Sequence, residues 1–165
     1  LLFFAGLFTM VGALEHMGHL DAVAEWIFAR FGPDGSITSD PVVLAIVMIW
    51  VAAVSSAIVD NIPFCAAMLP IIHNLGEMSI DPETGIAAVN VVPLYWALAM
   101  GCGFGGNATP IGSSANVMTV SISERGGHKI TTKEWIRVGL PVMVITCFVA
   151  TIFMYFFYDS LYVNP

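Results

Sequence analysis

The stretch GCGFGGNATPIGSSAN, residues 101–116, decides how this chain is read. It places five glycines and one proline inside an uncharged run that extends over residues 85–123. Glycine costs roughly 1 kcal/mol in a helix interior, and proline about 3 kcal/mol because it also removes an N–H. A membrane helix through these residues is therefore expected to break. The freed carbonyls and N–H groups find no water in hydrocarbon and survive only where protein or a wet cavity receives them. They can bind a cation or an anionic substrate, helped by Asn107, Thr109, Ser113, Ser114 and Asn116.

Two plainer readings compete. Gly101 and Gly105 stand at the GxxxG spacing of close helix packing, which accounts for the glycines but not for the added Asn, Thr and Ser. Gly101, Gly103 and Gly106 spell GxGxxG, but no strand precedes them and no soluble βαβ unit surrounds them, so a dinucleotide site is set aside.

The membrane setting comes from composition. Of 165 residues, 58% are hydrophobic and 10% charged, with a mean hydropathy of +0.85. Soluble domains carry about 25% charged residues. Residues 41–59, 85–123 and 138–158 hold no charge at all. A bilayer core of about 30 Å takes about 20 apolar residues as helix, so each run can span it or enter it deeply. The lipid bilayer is thus the first partner implied. A formal charge of −7 opposes nucleic acid as another. Cys65, Cys102 and Cys147 form no CxxC pair and read as small buried hydrophobes. The chain opens on Leu1-Leu2-Phe3-Phe4 without a basic n-region, which reads as a piece of a longer protein.

Outward from residues 101–116, helix is expected at 93–100 and again at 115–123, so that the broken helix covers about 90–123. A polar loop, 124–135, leads to a last helix over 136–158 with an aromatic end suited to the interface. Toward the N-terminus, a membrane helix is expected over about 1–19 and a turn at 32–36. Between them an amphipathic interfacial helix is expected over 21–31, with Val23, Trp26, Ile27 and Phe31 on one face. Two apolar runs, 41–59 and 64–75, then follow with only Asp60, Asn61, Ile62 and Pro63 between them. The second run is short for a span. That predicts a re-entrant hairpin over about 41–76, its tip at membrane depth and Pro63 starting the returning helix. Residues 77–83 form an acidic loop. Arg125, Lys129, Lys133 and Arg137 lie in or beside loop 124–135, which makes that loop cytoplasmic by the positive-inside rule and brings the hairpin in from outside.

Asp60 is the acidic residue placed well inside a membrane run. A carboxylate at that depth is costly and marks a functional position by default. It can bind sodium, carry a proton or cap the returning helix, and the residues alone leave all three open. Glu15, His16 and His19 read as a membrane-boundary cluster rather than a zinc site, since no second ligand group accompanies them. His73 reads as interfacial. No residue is assigned a catalytic role, and the chain is not read as an enzyme.

Two motifs in order carry a family likeness: SSAIVDNIPFCAAMLP, residues 55–70, and GGNATPIGSSANV, residues 105–117. With Gly139, Leu140 and Pro141 in the last helix, the chain resembles the ArsB/NhaD permeases of the ion transporter superfamily over essentially its whole length. These have a citrate-transporter-like domain, and the likeness is greatest to their P protein (pink-eyed dilution) branch. The resemblance implies an all-α polytopic membrane fold, an inverted-repeat carrier of the elevator type, in which each repeat supplies one hairpin and one broken helix. Residues 1–165 would be the C-terminal repeat, with the N-terminal repeat of the same protein as its missing partner and a homodimer as an allowed assembly. The site would comprise Asp60, Asn61, Gly106, Asn107, Thr109, Gly112, Ser113, Ser114 and Asn116, with Na+ held at Asn61, Asn107, Thr109 and Asn116. The cargo would be a small inorganic ion or anion, coupled to Na+ or H+, in a prokaryotic plasma membrane. Many dicarboxylate members carry Ser-Asn-Thr where this chain has Asp60, Asn61 and Ile62. The hydroxyls are lost, and Asp60 would repel a dicarboxylate unless a cation or proton lay between them. A channel-like anion conductance and a non-transporting membrane scaffold are the alternatives.

Overall fold

The computed structural model describes residues 5, 6, 9, 12, 13, 16–18, 40–80 and 90–161. The helix expected over 1–19 is therefore described at scattered positions only. The interfacial helix at 21–31, the turn at 32–36, Glu15, His19 and the acidic positions 81 and 83 lie outside the described residues.

Among the described residues from 40 onward the regular elements are helices: α1 (Pro41–Ser56), α2 (Asn61–Met78), α3 (Val92–Gly105), α4 (Ser114–Arg125) and α5 (Thr132–Phe157). Short 3-10 turns at Gly106–Ala108 and Tyr158–Leu161 follow α3 and α5. Helix α1 starts where Asp40 accepts the Val42 N–H at 3.0 Å and Pro41 takes the first helical position, where a missing N–H costs nothing. Helix α5 starts with a capping box. The Glu134 N–H donates to the Thr131 hydroxyl at 3.3 Å, and the Glu134 carboxylate accepts the Thr131 N–H at 2.8 Å. With its 3-10 extension α5 runs 30 residues, about 45 Å at 1.5 Å per residue, and is long and apolar enough to cross a bilayer.

Several element boundaries differ from the expected ones. Asn61, Ile62 and Pro63 belong to α2, and the connecting turn is 57–60 instead. Asp60 caps the helix from just outside, so helical hydrogen bonding begins at Asn61, and Pro63 falls in the first turn where no donor is needed. The helix α2 also continues through Glu77 to Met78, into the expected acidic loop. Likewise Lys133 and Glu134 lie in the first turn of α5, which leaves 126–131 as the polar loop.

A further difference concerns the glycines. Helix α3 continues through Gly101 and Gly103 to Gly105, and the non-helical stretch begins only later. The reason is packing. Helix α1 lies mainly against α3 rather than against α2. A Cβ on Gly101 would come within 2.5 Å of the Ile49 carbonyl oxygen, and one on Gly105 would overlap the Ala53 backbone. Ala45, Ala52, Ala53 and Ala97 complete a contact of small side chains that is sealed from solvent. The close-packing reading of GxxxG thus holds for Gly101 and Gly105. Helix α5 lies across α1, α3 and the 106–108 turn, burying a single stripe of Met143, Cys147, Ala150 and Met154. The Trp50 indole N–H donates to the Thr151 hydroxyl at 3.1 Å and fastens α1 to α5.

Candidate functional site

The two motifs meet in space. At the end of α1 the chain turns through residues 57–60, and Asp60 accepts the Ile62 N–H at 3.3 Å. The next backbone N–H, that of Asn61, donates across the junction to the Gly112 carbonyl at 3.2 Å. From the other side the Thr109 hydroxyl donates to the Ala57 carbonyl at 2.5 Å. The turn between α1 and α2 is therefore tied twice to the stretch between α3 and α4.

That stretch is irregular for a local reason. Pro110 disfavours a helical conformation at the residue before it, and Thr109 is extended at φ −132°, ψ 158°. The carbonyls left free are gathered by one side chain. The Asn116 amide nitrogen, in the first turn of α4, donates to Gly106 O at 2.7 Å and to Thr109 O at 3.0 Å. Ser113 caps α4 by accepting the Ala115 N–H at 3.3 Å, while Ser114 is exposed as its first residue. A Cβ on Gly112 would meet Gly106 O at 2.7 Å and Ser56 O at 2.8 Å. Three backbone segments converge there, and glycine is the residue that fits.

One polar atom at this junction has nothing to bind. The Asn61 side-chain oxygen is buried and has no hydrogen-bond partner. Leaving such an acceptor unsatisfied costs about 1–3 kcal/mol, so its presence asks for an explanation. Next to it Asp60 is half-buried. The ion pairs among the described residues lie elsewhere, at His73–Glu77 and Lys129–Glu124, and none neutralises Asp60.

Of the residues expected at the site, Asp60, Asn61, Gly106, Thr109, Gly112, Ser113 and Asn116 surround this junction through direct contacts or shared backbone. Asn107 differs in its exposure. It is exposed, borders a cleft of about 410 Å³ and offers its carbonyl to the Trp135 indole N–H at 3.0 Å. Sequence reasoning missed Trp135 and also Ser56, which is fully buried and donates its hydroxyl to the Cys102 carbonyl at 2.9 Å. The available signal for Trp135 was Gly139, one turn further along a membrane helix, where a Cβ would overlap Asn107 O. Among the described residues no group of three or more His, Cys, Asp or Glu side chains could hold a metal ion.

Residues 1–101 match the model of the family described as citrate transporter, well over half of the chain. The chain belongs to the citrate transporter family. Members of this family are integral membrane transporters and not enzymes. This member of the family is 40% identical over 156 residues to the P protein of Homo sapiens, covering 93% of the chain and 18% of that protein. It is 39% identical over 156 residues to the P protein of Sus scrofa, with 93% and 17% covered. An uncharacterized transporter of Mycobacterium tuberculosis is 39% identical over 159 residues, with 96% of the chain and 34% of that protein covered. The chain therefore spans less than a fifth of the P proteins and about a third of the mycobacterial relative. No solved structure matches it.

Proposed function

We propose that the chain is the C-terminal repeat of a secondary active transporter, and that its junction between the 57–60 turn and residues 106–116 forms half of an ion and substrate site. The observation that carries this reading is the buried, unpaired oxygen of Asn61. An acceptor without a donor is what a cation ligand looks like when no cation is counted. Sodium prefers such oxygens, and the neighbouring Asp60 carboxylate adds negative charge at short range. The chemistry of the donor set fits, with roles divided. Asn61 would offer its side-chain oxygen, while Thr109 and Asn116 use their donors to hold backbone carbonyls in place. Asn107 would complete the set from the 106–108 turn.

Helix lengths support a broken membrane element here. Helices α3 and α4 have 14 and 12 residues, about 21 and 18 Å long, each short of a bilayer core of about 30 Å. Helix α4 buries none of its residues, and Val117, Met118 and Ile122 are 48%, 61% and 61% exposed. We assign that face to the N-terminal repeat of the same protein, which the greater length of the relatives would supply. The pair α1 and α2 would be the re-entrant hairpin, and loop 124–135, with Arg125, Lys129 and Lys133, would face the cytoplasm.

The cargo would be an inorganic ion or small anion coupled to Na+ or H+ by an elevator motion. An anionic cargo needs a cation or proton between it and Asp60, which makes coupling a requirement of the site rather than an addition to it. The test is transport by the full-length protein in proteoliposomes, with sodium, proton and anion gradients imposed separately. Saturable flux that needs a sodium or proton gradient supports the proposal. Currents that ignore both gradients indicate an anion conductance and contradict it.

A further inference from the structure

We infer that Trp135 is a positioning residue for Asn107, so that the first turns of α5 set how tightly the site binds its ion. This rests on the proposed role of Asn107 at the site.

The 106–108 turn has two neighbouring carbonyls pinned from different helices. Gly106 O is held by the Asn116 amide of α4 at 2.7 Å, and Asn107 O by the Trp135 indole of α5 at 3.0 Å. With both peptide planes fixed, the direction in which the Asn107 side chain leaves the backbone is fixed too. Gly139 makes the second hold possible. One turn along α5 from Trp135, it leaves an indentation that the Asn107 carbonyl enters, and a Cβ there would overlap the oxygen and crowd the indole nitrogen at 3.1 Å.

Trp135 is itself aimed from outside the site. The capping box of Thr131 and Glu134 fixes the first turn of α5, and the Trp135 N–H makes that turn's bond to Thr131 O at 3.0 Å. The ring borders the open cleft between Ile130, Val138 and Val142 instead of filling the core. Burial is therefore not what the indole supplies here; its N–H is. Losing one such hydrogen bond is expected to weaken ion binding roughly threefold to tenfold.

The experiment is a titration of the thermal midpoint of the full-length protein with NaCl, against choline chloride at equal ionic strength. A ligand that binds only the folded state raises the midpoint with the logarithm of one plus its concentration over Kd. Trp135→Phe keeps the ring and removes the donor. It is expected to raise the sodium Kd fitted from the midpoint shift roughly threefold to tenfold. Trp135→His, which restores an N–H, should recover part of the loss. Gly139→Ala displaces the carbonyl and crowds the indole from the other side, and should weaken sodium binding as well; normal binding there overturns the inference even if the Phe variant fails to fold. Asn107→Ala should abolish the sodium-specific shift. If it does so while Trp135→Phe binds normally, the positioning role is wrong and the site reading stands. If Asn107→Ala or the wild type shows no sodium effect to lose, the site reading fails and this inference falls with it.

Discussion

The Asn116 side chain joins Gly106 to Thr109 by donating to both carbonyls, at 2.7 and 3.0 Å. A single amide thus closes the non-helical stretch between α3 and α4, and does so from the first turn of the helix that the stretch precedes. This explains how a proline-interrupted, glycine-rich segment keeps a defined shape with few regular hydrogen bonds of its own.

Asn116→Ala removes both bonds and leaves two carbonyls without that donor. The expected cost is about 1–3 kcal/mol, read as a fall in the thermal midpoint of the full-length protein and loss of ion-dependent transport. Asn116→Asp, which keeps the shape and removes the donors, should behave in the same way. A variant with unchanged stability would show that the clamp does not hold the stretch.

The glycines of α3 should separate by position. Gly101→Ala and Gly105→Ala push a methyl group into the Ile49 and Ala53 backbones and are expected to destabilise the protein by about 1–3 kcal/mol. Gly103, whose Cβ would meet nothing within 4 Å in this chain, should accept alanine. Folded yield and thermal midpoint check this, and equal behaviour of all three would contradict the α1–α3 contact.

Asp60 has two roles that one pair of substitutions pulls apart. Asn is as good an N-cap as Asp, so Asp60→Asn should leave stability within a few tenths of a kcal/mol while altering the ion dependence of transport. Asp60→Ala should lose about 1 kcal/mol of stability in addition. If Asp60→Asn transports with unchanged ion dependence, Asp60 serves as a cap alone.

Much of this arrangement was legible in the residues. The uncharged runs point to the membrane class, the apolar run from Pro41 marks the start of α1, and capping of α2 is one of the three roles that the residues leave open to Asp60. An interruption in this stretch is expected from the five glycines and Pro110, and α3 and α4 are indeed separate helices. Its starting point was not legible. Glycine's cost in a helix predicts a break at Gly101, but that cost is outweighed by the close approach of α1, a partner more than forty residues away in sequence that no local pattern announces. The hold of Trp135 on Asn107 spans 28 residues and escaped for the same reason. Asn61 was named as a site residue through family likeness, yet what distinguishes it physically, a buried oxygen with no donor, is a property of the packed chain.

The central claim is that the Asn61 oxygen is a cation ligand, and Asn61→Ala in reconstituted full-length protein tests it most directly. Since that oxygen has no hydrogen bond to lose, the variant should fold with near-normal stability in sodium-free buffer. In proteoliposomes it should then lose the flux that an inward sodium or proton gradient drives. Folded Asn61→Ala protein with the same gradient-driven flux as the wild type would contradict the account.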